Sequence, residues 1–121
     1  MELPKKLVID RSKYAAGVLM RPDGCGCAMG HLLLAAGIPQ AELNGNEWSD
    51  QVGTPAAKLL GLGGLDPQKE LNIASYSDCI KYASAYWKAD YELRIINELA
   101  SIGVEVSFEG EYPTFVREED S

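Results

Sequence analysis

Hydrophobic and polar positions along the chain predict a strand near each end. In residues 5–10 the β-branched Val8 and Ile9 follow a charged start, as in a short strand. Residues 104–109 alternate apolar and polar side chains, which is typical of a half-buried strand. We expect these two segments to pair, and we predict a further short strand over residues 18–21.

The segments between these strands have helical patterns. Residues 25–36 predict a helix that ends at Gly37. Residues 75–102 predict a long helical region with a break near residues 88–90, and Gly103 ends it. Its second half repeats apolar residues at helical spacing: Ile95, Ile96, Leu99 and Ile102.

Shorter elements follow from turn and capping residues. Ser12 predicts a cap for a helical turn closed by Gly17, and residues 22–24 predict a tight turn. Residues 40–53 predict a polar loop. Proline at the first helical position predicts two more short helices, over residues 55–61 and from residue 67 to about residue 71.

Together these elements predict one α+β domain, in which the terminal strands form a small sheet packed against several helices. The 121 residues, 46% apolar and 24% charged, suit a single soluble domain with one core over residues 1–121. The charged segment 117–121 predicts a frayed tail. The longest apolar stretch, residues 32–38, is far shorter than the roughly 20 residues of a membrane span.

The net charge restricts the classes of partner that we expect, and the first residues indicate the cellular compartment. A net charge of −7, from 11 basic and 18 acidic residues, opposes binding to the phosphate backbone of nucleic acids. Residues 1–6 lack the apolar stretch of a secretion signal, so we expect a cytoplasmic protein. Three cysteines do not make a disulfide framework, and a reducing compartment keeps them as thiols.

The cysteine-rich segment before the first predicted helix carries two chemical hypotheses. Cys25, Cys27 and His31 are residue types that bind zinc, and Cys79 is a candidate fourth ligand. Alternatively, a thiol in the first helical turn with His31 as its base gives a nucleophile. The structural alternative is that the cysteines are small buried hydrophobes and that Gly26 and Gly30 allow close packing against the sheet.

A second candidate site is aromatic. Tyr82, Tyr86, Trp87 and Tyr91 lie within ten positions, and the i, i+4 pairs Tyr82–Tyr86 and Trp87–Tyr91 predict two neighbouring stripes on one helix. Exposed tyrosine and tryptophan suit a protein interface or a stacked ring such as a nucleobase. The alternative is aromatic packing beneath the loop of residues 40–53. Arg11, at the end of the first strand, is a candidate anion contact.

Three short motifs resemble a group of small uncharacterised proteins of bacteriophages and prophage-bearing bacteria. They are Leu-Val-Ile-Asp-Arg-Ser-Lys-Tyr at residues 7–14, the cysteine-rich turn that leads to Ala-Ala-Gly at residues 35–37, and Gly-Val-Glu-Val at residues 103–106. In that group the motifs are similar to LTIDRSKWLRG, CCLGF…ACG and GVEVEF. This chain differs in its Cys-Gly-Cys, in Tyr14 and in His31. The group has no assigned activity, so the resemblance transfers no functional residue.

These observations favour binding over catalysis. We expect an accessory protein, phage-related by resemblance, that engages a host protein or sequesters a small nucleotide-like ligand, as in counter-defence. A homodimer would deepen a binding pocket in so small a domain. The competing hypothesis is a zinc- or thiol-dependent protein centred on Cys25, Cys27 and His31.

Overall fold

A computed structural model describes residues 3–44 and 67–113 of the chain. The described elements include the strands β1 (Lys6–Asp10) and β2 (Glu105–Glu109) and the helices α1 (Ala28–Ala35), α2 (Gln40–Leu43), α3 (Pro67–Cys79) and α4 (Ala85–Ala100). Two 3-10 turns, Arg11–Lys13 and Ile80–Tyr82, follow β1 and α3. The predicted α+β class is confirmed. The predicted helix over residues 55–61 and the predicted tail over residues 117–121 lie outside the described residues.

The terminal strands pair as predicted, and they pair in parallel, with Lys6 opposite Glu105 and Asp10 opposite Glu109. A parallel pair needs a long crossover, which the intervening helices provide. Alternation buries Leu7 and Ile9 on one face of β1 and leaves Val8 exposed on the other. On the buried side, α1 packs against β1 and α4 packs against β2.

Helix α1 begins three residues later than the sequence predicts. Cys27 is its N-cap, and the preceding backbone is extended because Gly26 exchanges hydrogen bonds with the segment after β1: its N–H donates to the Lys13 carbonyl, and its carbonyl accepts from the Ala15 N–H, both at 3.0 Å. The predicted end is confirmed, since Gly37 takes a positive φ of 102° just after the helix.

The strand predicted over residues 18–21 is wrong. Within the described residues only Met20 forms a bridge there, to Asn44. The Arg21 N–H donates to the Cys25 carbonyl at 2.7 Å, so this segment closes a local turn instead of joining the sheet. The predicted Ser12 cap is also wrong: Asp10 is the N-cap, and its carboxylate accepts from the Ser12 N–H and hydroxyl, so the turn starts two residues earlier.

The close approach of Leu19 explains two glycines in the cysteine-rich segment. A Cβ on Gly30 would lie 1.6 Å from the Leu19 carbonyl oxygen, and one on Gly26 would lie 2.2 Å from the same atom. These distances support the structural alternative, in which Gly26 and Gly30 allow close packing. The packing partner, however, is the backbone of Leu19 and not the sheet.

The long helical region divides at a different place from the one predicted. Helix α3 runs without interruption from Pro67 to Cys79, and the break falls at Ala83 and Ser84, both of which are extended. The predicted break at residues 88–90 is wrong because those residues lie within α4, which packs against α3. None of the helices within residues 3–44 and 67–113 has both the length and the apolar character of a membrane-spanning segment.

Candidate functional site

The four predicted aromatic residues form one surface at the start of α4, which we call the aromatic surface: Tyr82, Tyr86, Trp87 and Tyr91. Tyr82 is 69% exposed, Tyr86 75% and Trp87 49%, whereas Tyr91 is half-buried. The break at residues 83–84 separates Tyr82 from α4. The predicted helical pair Tyr82–Tyr86 is therefore wrong, while Trp87 and Tyr91 do form an i, i+4 pair.

Ring contacts connect this surface into a row. The Tyr86 and Trp87 rings meet edge to face with centroids 5.4 Å apart, and the Trp87 and Tyr91 centroids are 6.4 Å apart. Tyr76 of α3 continues the row, 6.1 Å from Tyr91. Arg94 lies over the rings of Tyr76 and Tyr91, 5.6 Å from each centroid, and is also paired with Asp90. Tyr91 is therefore in contact with Tyr76 and Arg94, whereas Tyr86, at the other end of the row, is largely exposed to solvent.

A shallow, open pocket of about 450 Å³ lies beside the row, and we call it the apolar pocket. Its lining residues are Cys79, Tyr82, Ala83, Ser84, Trp87 and Tyr91. The negative charge that Cys79 would carry when ionised raises the pKa of Tyr91, and partial burial adds to the rise, so the phenol stays neutral at physiological pH. The lining of the pocket therefore includes three aromatic rings, one thiol and the hydroxyl groups of Tyr82, Ser84 and Tyr91.

A second pocket, of about 510 Å³, lies on the other side of Tyr82, and we call it the lysine pocket. Its lining residues are Lys81, Tyr82, Ala83, Ser84, Lys88, Tyr112 and Pro113. The Lys81 ammonium lies 5.4 Å from the centroid of the Tyr82 ring, and the Lys88 ammonium donates to the Ala83 carbonyl. The two pockets share the wall formed by residues 82–84.

Arg11 lies at neither of these pockets. Its Nε and Nη2 donate to the two carboxylate oxygens of Glu92 at 2.9 and 2.7 Å, and its Nη1 donates to the Gly110 carbonyl at 3.0 Å. The rings of Phe108 and Tyr112 flank the guanidinium at 5.7 and 5.8 Å. Hydrogen bonding to Glu92 raises the pKa of Arg11. This geometry gives Arg11 a structural role; its predicted contact with a ligand anion stays a prediction.

Glu92 is the residue that the sequence reasoning missed. It is buried, and it also accepts a hydrogen bond from the Tyr112 hydroxyl. Burial, followed by the bond to Glu92, raises the pKa of Tyr112 well above its ordinary value. The signal was available, because Glu92 shares the buried face of α4 with Ile95 and Leu99 at helical spacing. A charge on such a face predicts a buried partner.

The buried network extends from Glu92 into the core through two tyrosines. The rings of Tyr112 and Tyr14 meet edge to face with centroids 5.5 Å apart. The Tyr14 hydroxyl donates to the Ser77 carbonyl of α3, and burial raises the pKa of Tyr14. These contacts connect the segment after β2 to α3 and fix one wall of the lysine pocket at Tyr112.

The candidate metal or thiol residues are not brought together as one group. Within residues 3–44 and 67–113, no three or more His, Cys, Asp and Glu side chains lie close enough to hold a metal ion. Cys27 is buried, and burial raises the pKa of its thiol to about 11, so it is a poor nucleophile. Cys79 instead lines the apolar pocket. The His31 Nε2 lies 2.9 Å from the Lys13 carbonyl oxygen, which leaves only Nδ1 to a ligand.

Cys25 differs from Cys27 in its surroundings. It is half-buried at the tight turn, where its N–H donates to the Asp23 carboxylate at 3.0 Å. Burial and the neighbouring Asp23 raise the pKa of the Cys25 thiol. The positive charges of Arg21 and Lys13 act in the opposite direction but are outweighed, so the pKa of this thiol is raised overall. The zinc and thiol hypothesis stays a prediction.

No protein-family model, curated protein or solved structure matches this chain. The resemblance to the phage and prophage group stays a prediction. Function is therefore inferred from the geometry of the aromatic surface and its pockets.

Proposed function

We propose that the protein acts by binding, and that the aromatic surface holds a small, planar, nucleotide-like ligand in the apolar pocket. One observation carries the proposal: Tyr82 and Trp87 stay exposed and, together with the half-buried Tyr91, line one open pocket. The pocket volume lies within the ~300–1,000 Å³ range that is usual for small-molecule sites.

The physical reason to expect ligand binding is the aromatic surface area that stays exposed to water. Apolar surface left in water forgoes about 25 cal/mol per Å² of stabilisation, and an aromatic side chain carries roughly 150–250 Å². Tyrosine and tryptophan lose little conformational entropy when a ligand orders them, and a base stacked on one such ring gains about 1–3 kcal/mol. A pocket lined by three aromatic rings suits a small planar ligand, which can stack on them.

The resemblance to phage and prophage proteins supports a biological setting for this binding. In the cytoplasm of a bacterial host, a protein that sequesters a nucleotide-like molecule withdraws it from host enzymes or receptors. We propose a counter-defence role of this kind. Self-association into a homodimer would extend the walls of the pocket and bury more of each ligand.

Calorimetric titration with a panel of nucleosides tests the proposal. We expect at least one nucleoside to bind, and the Trp87→Ala/Tyr91→Ala variant to weaken that binding by about 5- to 150-fold through loss of stacking. Thermal denaturation of the variant confirms that it stays folded.

Tyr86→Ala is the matched control, because Tyr86 belongs to the aromatic surface but does not line the apolar pocket. We expect this variant to bind the nucleoside nearly as well as the parent protein. If no nucleoside binds, the small-ligand proposal fails. If a host protein binds instead and Tyr86→Ala abolishes that binding, the surface is a protein interface and the proposal is wrong.

A further inference from the structure

Helix α4 carries a second apolar seam besides the one that faces the core, and we infer that this seam pairs two copies of the chain through antiparallel α4 helices. We call it the outer seam, and its members are Tyr86, Ala89, Leu93, Ile96 and Ala100. Steps of three and four residues alternate along it, which is the spacing of helices that pack against another helix. The inference rests on the self-association in the proposed function and not on its ligand.

Burial along α4 separates the outer seam from the core face. The residues of α4 that are buried in the core are Glu92, Ile95 and Leu99. Each of them lies roughly 100° or more around the helix from Leu93. On the outer seam, Tyr86 is 75% exposed and Leu93 is 58% exposed, while Ile96 is half-buried at the border with the core. Contiguous apolar side chains at a surface mark a protein–protein contact.

Side-chain sizes along the outer seam fit a second copy of the same seam. An antiparallel pair centred between residues 91 and 92 brings Leu93 of one copy opposite the small Ala89 of the second, to within one residue's rise of about 1.5 Å. The same register sets Tyr86 opposite Ile96 of the second copy. A two-fold axis repeats both contacts, as in an isologous interface.

The charges beside the outer seam favour the antiparallel direction. Asp90 and Arg94 lie between the seam and Trp87 around the helix, and within one copy they form an ion pair at 2.8 Å. In the antiparallel register, Asp90 of one copy also comes level with Arg94 of the second, again to within about 1.5 Å along the axis. A parallel pair would set Asp90 beside Asp90, and like charges across an interface are unfavourable.

The size of the outer seam predicts a weak dimer. The 16 residues of α4 make a helix about 24 Å long and about 10–12 Å wide. One face of such a helix is smaller than the area of about 800 Å² that each partner buries in a standard interface. The contact therefore falls at the low end of the size range, and we expect a dissociation constant in the micromolar range.

Sedimentation equilibrium of the whole chain, over about 1–300 μM, tests the inference. We expect a reversible equilibrium between monomer and dimer, and we expect Leu93→Glu to raise the dissociation constant by about 10- to 150-fold because a leucine no longer becomes buried. Leu71→Glu on α3 is the matched control, since Leu71 is 57% exposed and the substitution adds the same charge. It should dimerise like the parent protein. If Leu93→Glu unfolds the protein, Ala89→Glu is expected to weaken the dimer in its place.

Charge exchange tests the antiparallel register. Asp90→Arg is expected to raise the dissociation constant by about 3- to 10-fold, because it sets two arginines beside each other at both ends of the two-fold contact. The double variant Asp90→Arg/Arg94→Asp restores opposite charges there and should recover the parent value. A double variant as weak as Asp90→Arg would contradict the antiparallel register.

Contrary results separate this inference from the ligand proposal. A chain that stays monomeric at every concentration overturns the inference, and so does equal weakening by Leu93→Glu and Leu71→Glu. Nucleoside binding is measured on the same samples, and Leu93 is not among the lining residues of the apolar pocket. A dimer that Leu93→Glu dissociates, in a protein that binds no nucleoside, supports the inference while the ligand proposal fails.

Discussion

Replacing Gly30 with alanine is expected to destabilise the protein, although alanine favours helices. The added Cβ would lie 1.6 Å from the Leu19 carbonyl oxygen and 2.5 Å from the carbonyl carbon. An ordinary carbon–oxygen contact is about 3.3 Å, so the backbone at Leu19 has to move by roughly 1.7 Å. Overpacking typically costs about 1–3 kcal/mol, and a rigid backbone neighbour sets the upper end of that range.

The helix propensity of alanine offsets about 1 kcal/mol of this cost, so we expect a net loss of about 2 kcal/mol in the free energy of unfolding. Such a loss lowers Tm by roughly 8 °C in a domain of this size. Urea denaturation followed by circular dichroism measures it. Ala35→Gly, at an exposed position of α1, is the control for propensity alone and should lose no more than about 1 kcal/mol. A Gly30→Ala protein as stable as the parent would refute the packing account.

Three further predictions concern the buried network and the thiols. Glu92→Ala should cost about 3 kcal/mol in urea denaturation, and the Arg11→Ala/Glu92→Ala double variant should lose clearly less than the sum of the two single losses; additive losses would show that the pair is not coupled. The pKa of Cys27 is raised from its ordinary 9.0 to about 11, so its contribution is complete below pH 9 and is lost as pH rises to 11, at roughly 1.4 kcal/mol per pH unit. Cys27→Ala should therefore show a shallower fall in stability over that window, and identical slopes would contradict the burial of this thiol. Thiol titration of native protein should modify Cys25 and Cys79 but not Cys27, whereas stoichiometric metal with three protected thiols would favour the zinc hypothesis.

Local pattern predicted the two terminal strands and the domain class. Alternation in residues 104–109 and the apolar run after Lys6 reflect burial on one face of a sheet, and both strands are present with the expected pairing. The end of α1 was predictable too, because Gly37 supplies a positive φ that few other residues adopt.

The start of α1 was missed because it depends on contacts between segments that are distant in sequence. The start of α1 depends on hydrogen bonds between Gly26 and residues 13 and 15, and helical composition in residues 25–27 gives no sign of them. The break before α4 falls at Ala83 and Ser84, neither of which is a strong helix breaker, so no local signal favoured it over residues 88–90.

The sequence predicted which aromatic residues belong to the candidate site, but it did not predict the shape of the pockets. The exposed residues Tyr82 and Trp87 belong to the aromatic cluster of residues 82–91 that is visible in the sequence. Both pockets depend on the break at residues 83–84, and the lysine pocket depends also on Tyr112, from the segment after β2. A contact between segments that are distant in sequence cannot be predicted from the local pattern of apolar and polar residues.

Alkylation of Cys79 tests the binding proposal most directly, because this thiol lines the apolar pocket while Cys25 lies at the turn before α1. Iodoacetamide labelling, quantified by peptide mass spectrometry, is run with and without saturating adenosine 5′-monophosphate. We expect the nucleotide to slow labelling of Cys79 severalfold and to leave the rate at Cys25 unchanged. Equal rates at Cys79 with and without the nucleotide would contradict the claim that the aromatic surface binds a nucleotide-like ligand in this pocket.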